Sequence, residues 1–148
     1  MNPGRLRVLL VVPHAEDAAA VGDILRTSEH VEGIHVARDA EEAVAYLSGA
    51  DAFAERARFP LPHLVLLDLR LPGMSALGFL EWMKARTELR RIPLVVLSGS
   101  RSHPDVWKAY DLGANSYLLK PPAAEELLQL AQGIHAYWSV LNAPPRGS

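Results

Sequence analysis

A chain of 148 residues, 49% hydrophobic and 22% charged, is the size of one globular domain and has enough apolar side chains to build a packed core. Fifteen Lys and Arg against seventeen Asp and Glu leave a net charge of −2, which offers neither the basic footprint of a nucleic-acid binder nor a polybasic membrane anchor. The lack of cysteine removes disulfides, zinc–thiolate sites, iron–sulfur clusters and thiol catalysis, and the N-terminal apolar run is too short for a membrane span and lacks the flanks of a cleavable signal, so a soluble cytoplasmic protein is expected.

The first apolar run, LRVLLVV over 6–12, is near-continuous rather than alternating, the pattern of a strand buried on both faces. A helical pattern over 16–28 follows, with Ala20, Ile24 and Leu25 on one side. GIHVA over 33–37 predicts a second strand, and Asp39-x-x-Glu42 is a capping box opening a helix over 39–48 that stops at Gly49. A long connection over 50–62, part of which extends that helix, leads to HLVLL over 63–67, a third strand ending at Asp68. Leu77, Leu80 and Met83 are in register for a helix over 75–86. IPLVVL over 92–97 is a fourth strand ending at Ser98, and Ser102-x-x-Asp105 caps a helix running to Leu112 and closed by Gly113. SYLL over 116–119 is a fifth strand ending at Lys120, and Leu127, Leu130, Ala131, Ile134, Trp138 and Leu141 form the stripe of a last helix over 123–142. Strands and helices in strict alternation predict a doubly wound α/β fold, a parallel sheet covered on both faces, over residues 5–142 with a flexible tail over 143–148.

In an open parallel sheet, function gathers at the carboxyl ends of the strands. Those ends bring together Val12, Pro13 and His14, then Asp68, Ser98 and Lys120, an acid, a hydroxyl and an amine from distant segments. Asp68 alone reads first as a helix cap or solvated turn acid, as most lone Asp residues do, and second as a nucleophile toward a phosphoryl donor. Lys120, followed by Pro121-Pro122, is either an exposed charge before a helix or a fixed ammonium that neutralises a phosphoryl group or pairs with Asp68, and the X-Pro bond offers a cis peptide. Ser98-Gly99-Ser100 is ordinary turn chemistry or a hydroxyl aimed at an incoming oxygen, and Tyr117 reads as a core aromatic.

As a set, LVLLDLRLPGM around Asp68, VVLSGS over 95–100 and GANSYLLKP over 113–121 resemble the receiver domains of two-component response regulators. The resemblance covers about 6 to 141 and implies a flavodoxin-like sheet of order 2-1-3-4-5. It also implies that Asp68 is the phosphoacceptor for a sensor histidine kinase, with Lys120 contacting the phosphate and Ser98 and Tyr117 acting as switch residues. Lys120–Pro121 would be a cis peptide, and Asp68 with the Arg70 backbone carbonyl would hold Mg²⁺. The chain would then be a signalling switch rather than an enzyme, with at most self-directed phosphotransfer and autodephosphorylation.

One departure cuts across these expectations. Receivers carry two acids after the first strand, and here Val12 and Pro13 stand in their place. Mg²⁺ leans on carboxylate oxygens, so its binding is expected to be weak or absent unless Glu16 or Asp17 substitutes from the first helical turn, where acids also favour the helix dipole. The competing reading is a pseudo-receiver, an interaction module not run by phosphorylation. After the Pro-Gly-Met segment, Ser75-Ala76 replaces the family's frequent acid–glycine pair, a change expected to affect the entry to the third helix more than the chemistry. A dehalogenase-like phosphatase is disfavoured by Arg70 two residues past Asp68, and a flavodoxin-like cofactor carrier by the lack of a phosphate loop after the first strand.

Tyr137 and Trp138 are sequence neighbours and cannot both face inward, which suggests, with Leu141, an exposed protein interface at the end of the last helix. The long second connection and this aromatic end resemble single-domain receivers associated with bacterial phytochromes. That likeness implies a kinase partner of bacteriophytochrome type, a downstream protein target, and a homodimer through the fourth helix, fifth strand and fifth helix. Arg86, Arg90 and Arg91 read as a solvated surface cluster.

Overall fold

The computed structural model describes residues 5–71, 76–99 and 104–141, with the side chains of Asp105 and Leu141 outside that description. The elements run β1 (Leu6–Val11), α1 (Ala15–Arg26), β2 (Val31–Ala37), α2 (Ala40–Ser48), a short 3₁₀ turn (Asp51–Phe53), β3 (Leu64–Asp68), α3 (Ala76–Lys84), β4 (Leu94–Ser98), α4 (Pro104–Asp111), β5 (Ser116–Leu119) and α5 (Ala124–Leu141). The strands form one five-stranded sheet in the order β2-β1-β3-β4-β5, and every neighbouring pair is parallel.

Side chains alternate across a strand, so a continuous apolar run feeds two cores at once. Leu9, Val11, Val65, Leu67 and Val96 face one layer, where Tyr46 of α2 and Phe79, Leu80 and Met83 of α3 close over them. Val8, Leu10, Leu64, Leu66, Val95 and Leu97 face the other, against Val21 and Leu25 of α1 and Leu127 and Ala131 of α5. Among the described residues, no helix is long and apolar enough to cross a membrane.

β2 starts at Val31, two residues before the predicted strand, because Val31 pairs with Leu6 across an irregularity between Leu6 and Arg7. Glu32, which breaks the apolar pattern, lies at this sheet edge and is paired to Arg7 at 3.0 Å. The α2 cap is as the sequence predicts: Asp39 accepts from the Glu42 N–H at 2.7 Å, and Gly49 takes φ +67° after the last turn. The predicted extension of α2 is instead the separate 3₁₀ turn. The connection after it is pinned by Arg56, whose guanidinium donates to the Tyr46, Leu47 and Phe59 carbonyls at 2.8, 2.7 and 3.0 Å. Tyr46 donates its hydroxyl to the Pro60 carbonyl at 2.7 Å, and His35, Tyr46, Phe53 and Phe59 form one aromatic cluster beneath the segment. The Pro72-Gly73 turn, Ser75, Ser100, the Ser102 cap and the tail over 143–148 lie outside the described residues.

Candidate functional site

β3 is flanked by β1 and β4, and β5 lies beyond β4, so Asp68, Ser98 and Lys120 arrive at one edge from three segments far apart in the chain. Asp68 pairs in register with Leu97, and Ser98 with Leu119, the residue before Lys120. The Lys120 N–H donates to the Ser98 carbonyl at 2.7 Å, which fixes where the lysine side chain begins. The Lys120–Pro121 peptide bond is cis.

Asp68 is 1% exposed, and a carboxylate so buried needs partners for both oxygens. Oδ1 accepts from the backbone N–H of Arg70 at 2.9 Å, turning the chain as it leaves the strand. Oδ2 accepts from the Lys120 ammonium at 2.5 Å. The same ammonium stands 3.1 Å from Oδ2 of Asp17, so one cation is shared between two carboxylates. Burial alone would lower the Lys120 pKa, but the hydrogen bonds it donates to Asp68 and Asp17, backed by their charges, outweigh it and raise the pKa above the ordinary 10.5.

Asp17 lies in the first turn of α1 with Glu16, as an acid favoured by the helix dipole should. Its reach to Lys120 is a second role. Sequence reasoning could offer Asp17 only as a substitute metal ligand, because the approach of α1 to the end of β5 is tertiary. His14 caps α1 through its backbone, with no side-chain hydrogen bond, and is exposed. Val12 is wholly buried, its N–H donating to the Ala37 carbonyl at 3.0 Å, and Pro13 is half-buried. A cavity of about 30 Å³ beside them is lined mainly by Val12, Val21, Leu97 and Pro121, together with Asp17 and Lys120.

The carboxylates this edge offers a divalent cation are Asp68, both of whose oxygens are engaged, and Asp17, which is paired with Lys120. Among the described residues, no group of three or more Asp, Glu or His side chains is placed to hold a metal ion. Both carboxylates are engaged by the Lys120 ammonium, so a divalent cation would compete with it for them.

Ser98 is buried beside Asp68's strand, at 3% exposure. Tyr117 is half-buried in β5, packed edge-on against Tyr110 of α4 with ring centres 6.0 Å apart. Arg70 projects its guanidinium over Gly99, 3.8 Å from where a Cβ would stand there. At the end of α5, Trp138 turns inward: its indole N–H donates to the His63 carbonyl at 2.7 Å, and Tyr137 is left as the exposed member of the pair. Exposed Trp107 and Tyr110, one turn apart on α4, are aromatics that sequence reasoning passed over, although their i, i+3 spacing signals a shared face. Arg86 stacks on Trp82, 4.2 Å from the ring centre, which ties one member of the basic cluster to α3.

Comparison with known proteins agrees with this geometry. The family model "Response regulator receiver domain" matches residues 8–132. The response regulator Rcp1 of Synechocystis sp. is 35% identical over 137 residues, covering 93% of this chain and 90% of the relative. The crystal structure of the phosphorylated cyanobacterial phytochrome response regulator RcpA superposes with a TM-score of 0.76 at 32% identity, covering 98% of this chain and all of that one. The Mn²⁺-bound form of Rcp1 gives a TM-score of 0.72 at 33% identity, covering 95% of this chain and 99% of the other. A match of this extent, on a chain whose strand order and strand-end residues already point the same way, assigns the family: the chain is a response regulator receiver domain.

Proposed function

We propose that this chain is a stand-alone receiver in a phytochrome-type two-component pathway, taking a phosphoryl group on Asp68 from a sensor histidine kinase. The observation that carries the reading is the buried Asp68 carboxylate held against the Lys120 ammonium at the sheet edge. An oxygen of Asp68 attacks the phosphorus of a phosphohistidine, a P–O bond forms, the P–N bond breaks, and the imidazole leaves with its electron pair, giving an acyl phosphate. The incoming group carries nearly two negative charges, and Lys120 is the fixed cation beside it. Ser98 then hydrogen-bonds a phosphoryl oxygen and Tyr117 follows inward, shifting the population toward a second state of the face built by α4, β5 and α5.

Partner recognition supports the same reading. Relatives include a phytochrome response regulator, and the α4–β5–α5 side exposes Trp107, Tyr110, Tyr137 and Val140. That face is the seat of a homodimer and of the contact with a downstream protein target. Intact mass after incubation with a phosphorylated histidine kinase, with Asp68→Asn as control, tests the function: one added phosphoryl group, lost in the control, is expected.

A second reading draws on Val12 and Pro13. A receiver without the acidic pair, and with both Asp68 oxygens engaged, also fits a pseudo-receiver that binds partners without phosphorylation. The two part on one result: in the pseudo-receiver, Asp68→Asn leaves partner binding unchanged whether or not the kinase is charged.

A further inference from the structure

The misfit between this pocket and a divalent metal has a specific form. Mg²⁺ keeps several of its waters when a protein binds it. On the Val12 side of the ammonium, the cavity of about 30 Å³ has room for about one water and is walled by Val12, Val21, Leu97 and Pro121, while a wider cleft of about 460 Å³ runs outside Asp17 along His14, Ala15 and Glu16. Where two acids would face the metal, Val12 is wholly buried and Pro13 has no polar side chain. The Lys120 ammonium instead lies 2.5 Å from Asp68 of β3 and 3.1 Å from Asp17 of α1, shared by carboxylates from two elements. A divalent ion entering there meets a fixed positive charge, and the two carboxylates nearest that charge, Asp68 and Asp17, are already engaged.

We propose that the Lys120 ammonium is the resident cation of this pocket, and that the unphosphorylated protein takes up neither Mg²⁺ nor Mn²⁺. Asp17 is a positioning residue: it acts on the site through Lys120, holding the ammonium beside Asp68 rather than ligating a metal. The significance of this arrangement rests on Asp68 being the functional carboxylate, but metal uptake is read on unphosphorylated protein. Failure of the proposal is therefore distinguishable from failure of phosphotransfer.

The test is a Mn²⁺ titration of the full chain followed by electron paramagnetic resonance, with thermal melts in parallel. Wild type should leave the signal of free aqueous Mn²⁺ undiminished, and its Tm should not move. Lys120→Gln removes the positive charge and leaves the two carboxylates facing each other, so it should bind Mn²⁺ saturably and gain ~3 °C in Tm. Adding Asp17→Asn to that variant should abolish the gain. Saturable Mn²⁺ uptake by wild type overturns the proposal. If Asp17→Asn alone then removes that uptake, Asp17 is a metal ligand; if uptake persists, other donors hold the ion. A folded Lys120→Gln variant that takes up no Mn²⁺ also overturns it, because the ammonium would not be what occupies the place. Should that variant fail to fold, the wild-type titration decides alone.

Discussion

Lys120 is the residue on which the site turns. Its pKa is raised by Asp68 and Asp17 against the opposing effect of burial, so its contribution to stability is fully present below the ordinary value of 10.5 and is lost as pH rises through the folded value. Thermal melts above about pH 10 should show this loss in wild type, while Lys120→Arg, which stays charged there, should show a flatter curve. Val12 makes the complementary case. Its side chain is wholly buried, so Val12→Asp places a carboxylate without a prepared partner and should cost about 3 kcal/mol, read by urea unfolding. Mg²⁺ should recover part of that loss in the variant and leave the stability of wild type unchanged. Asp68, Ser98 and Lys120 were legible in the sequence because each ends an apolar run, and strand ends in a parallel sheet converge. The contact of Asp17 with Lys120 was not legible, because it depends on how α1 leans over β5 across more than a hundred residues of sequence.

At the scale of elements, local signals and tertiary override can be told apart. The α2 boundaries follow from Asp39 and Gly49, and β1, β3 and β4 from unbroken runs of Val and Leu. The first residues of β2 escaped notice because an edge strand with exposed Glu32 loses its apolar pattern. The segment after α2 carries no periodicity, and what orders it is one guanidinium collecting three carbonyls. Arg56→Ala should therefore cost about 2 kcal/mol and raise proteolysis within 54–60 before any other site. Gly49→Ala should cost about 1 kcal/mol or more, since φ is +67° and the Arg56 guanidinium lies 3.0 Å from the new Cβ. Two histidines couple these elements to pH. Burial lowers the pKa of His35, against the pull of Glu42, and that of His63, against Glu32. In each case the unfolded chain takes up the proton first, so stability is present above the ordinary value of 6.5 and is lost as pH falls below it. The urea midpoint should drop between about pH 7 and 5.5, and by less in His35→Phe, which keeps the ring stack on Tyr46.

Across the whole molecule, two cores on either side of one sheet position the strand ends where Asp68, Ser98 and Lys120 meet, while the α4–β5–α5 side is rich in exposed aromatics. Trp107 is 68% exposed and Val140 74%, apolar surface that the folded chain leaves uncovered. If this face joins two copies, Trp107→Glu with Tyr137→Glu should shift the chain from dimer to monomer in light scattering, with the thermal transition little changed. The overall fold was legible because alternating strands and helices with buried, unbroken runs admit few arrangements. The occupant of the exposed face was not, because an apolar stripe reads the same whether it packs inside or against a partner.

The central claim is that Asp68 receives a phosphoryl group in a pocket whose cation is Lys120. Its most direct test is the intact mass of the full chain after mixing with a pre-phosphorylated, desalted histidine kinase in the presence of a chelator. The mass of one added phosphoryl group is expected in wild type and none in Asp68→Asn. No added mass in folded wild-type protein, or an added mass that persists in Asp68→Asn, would contradict it.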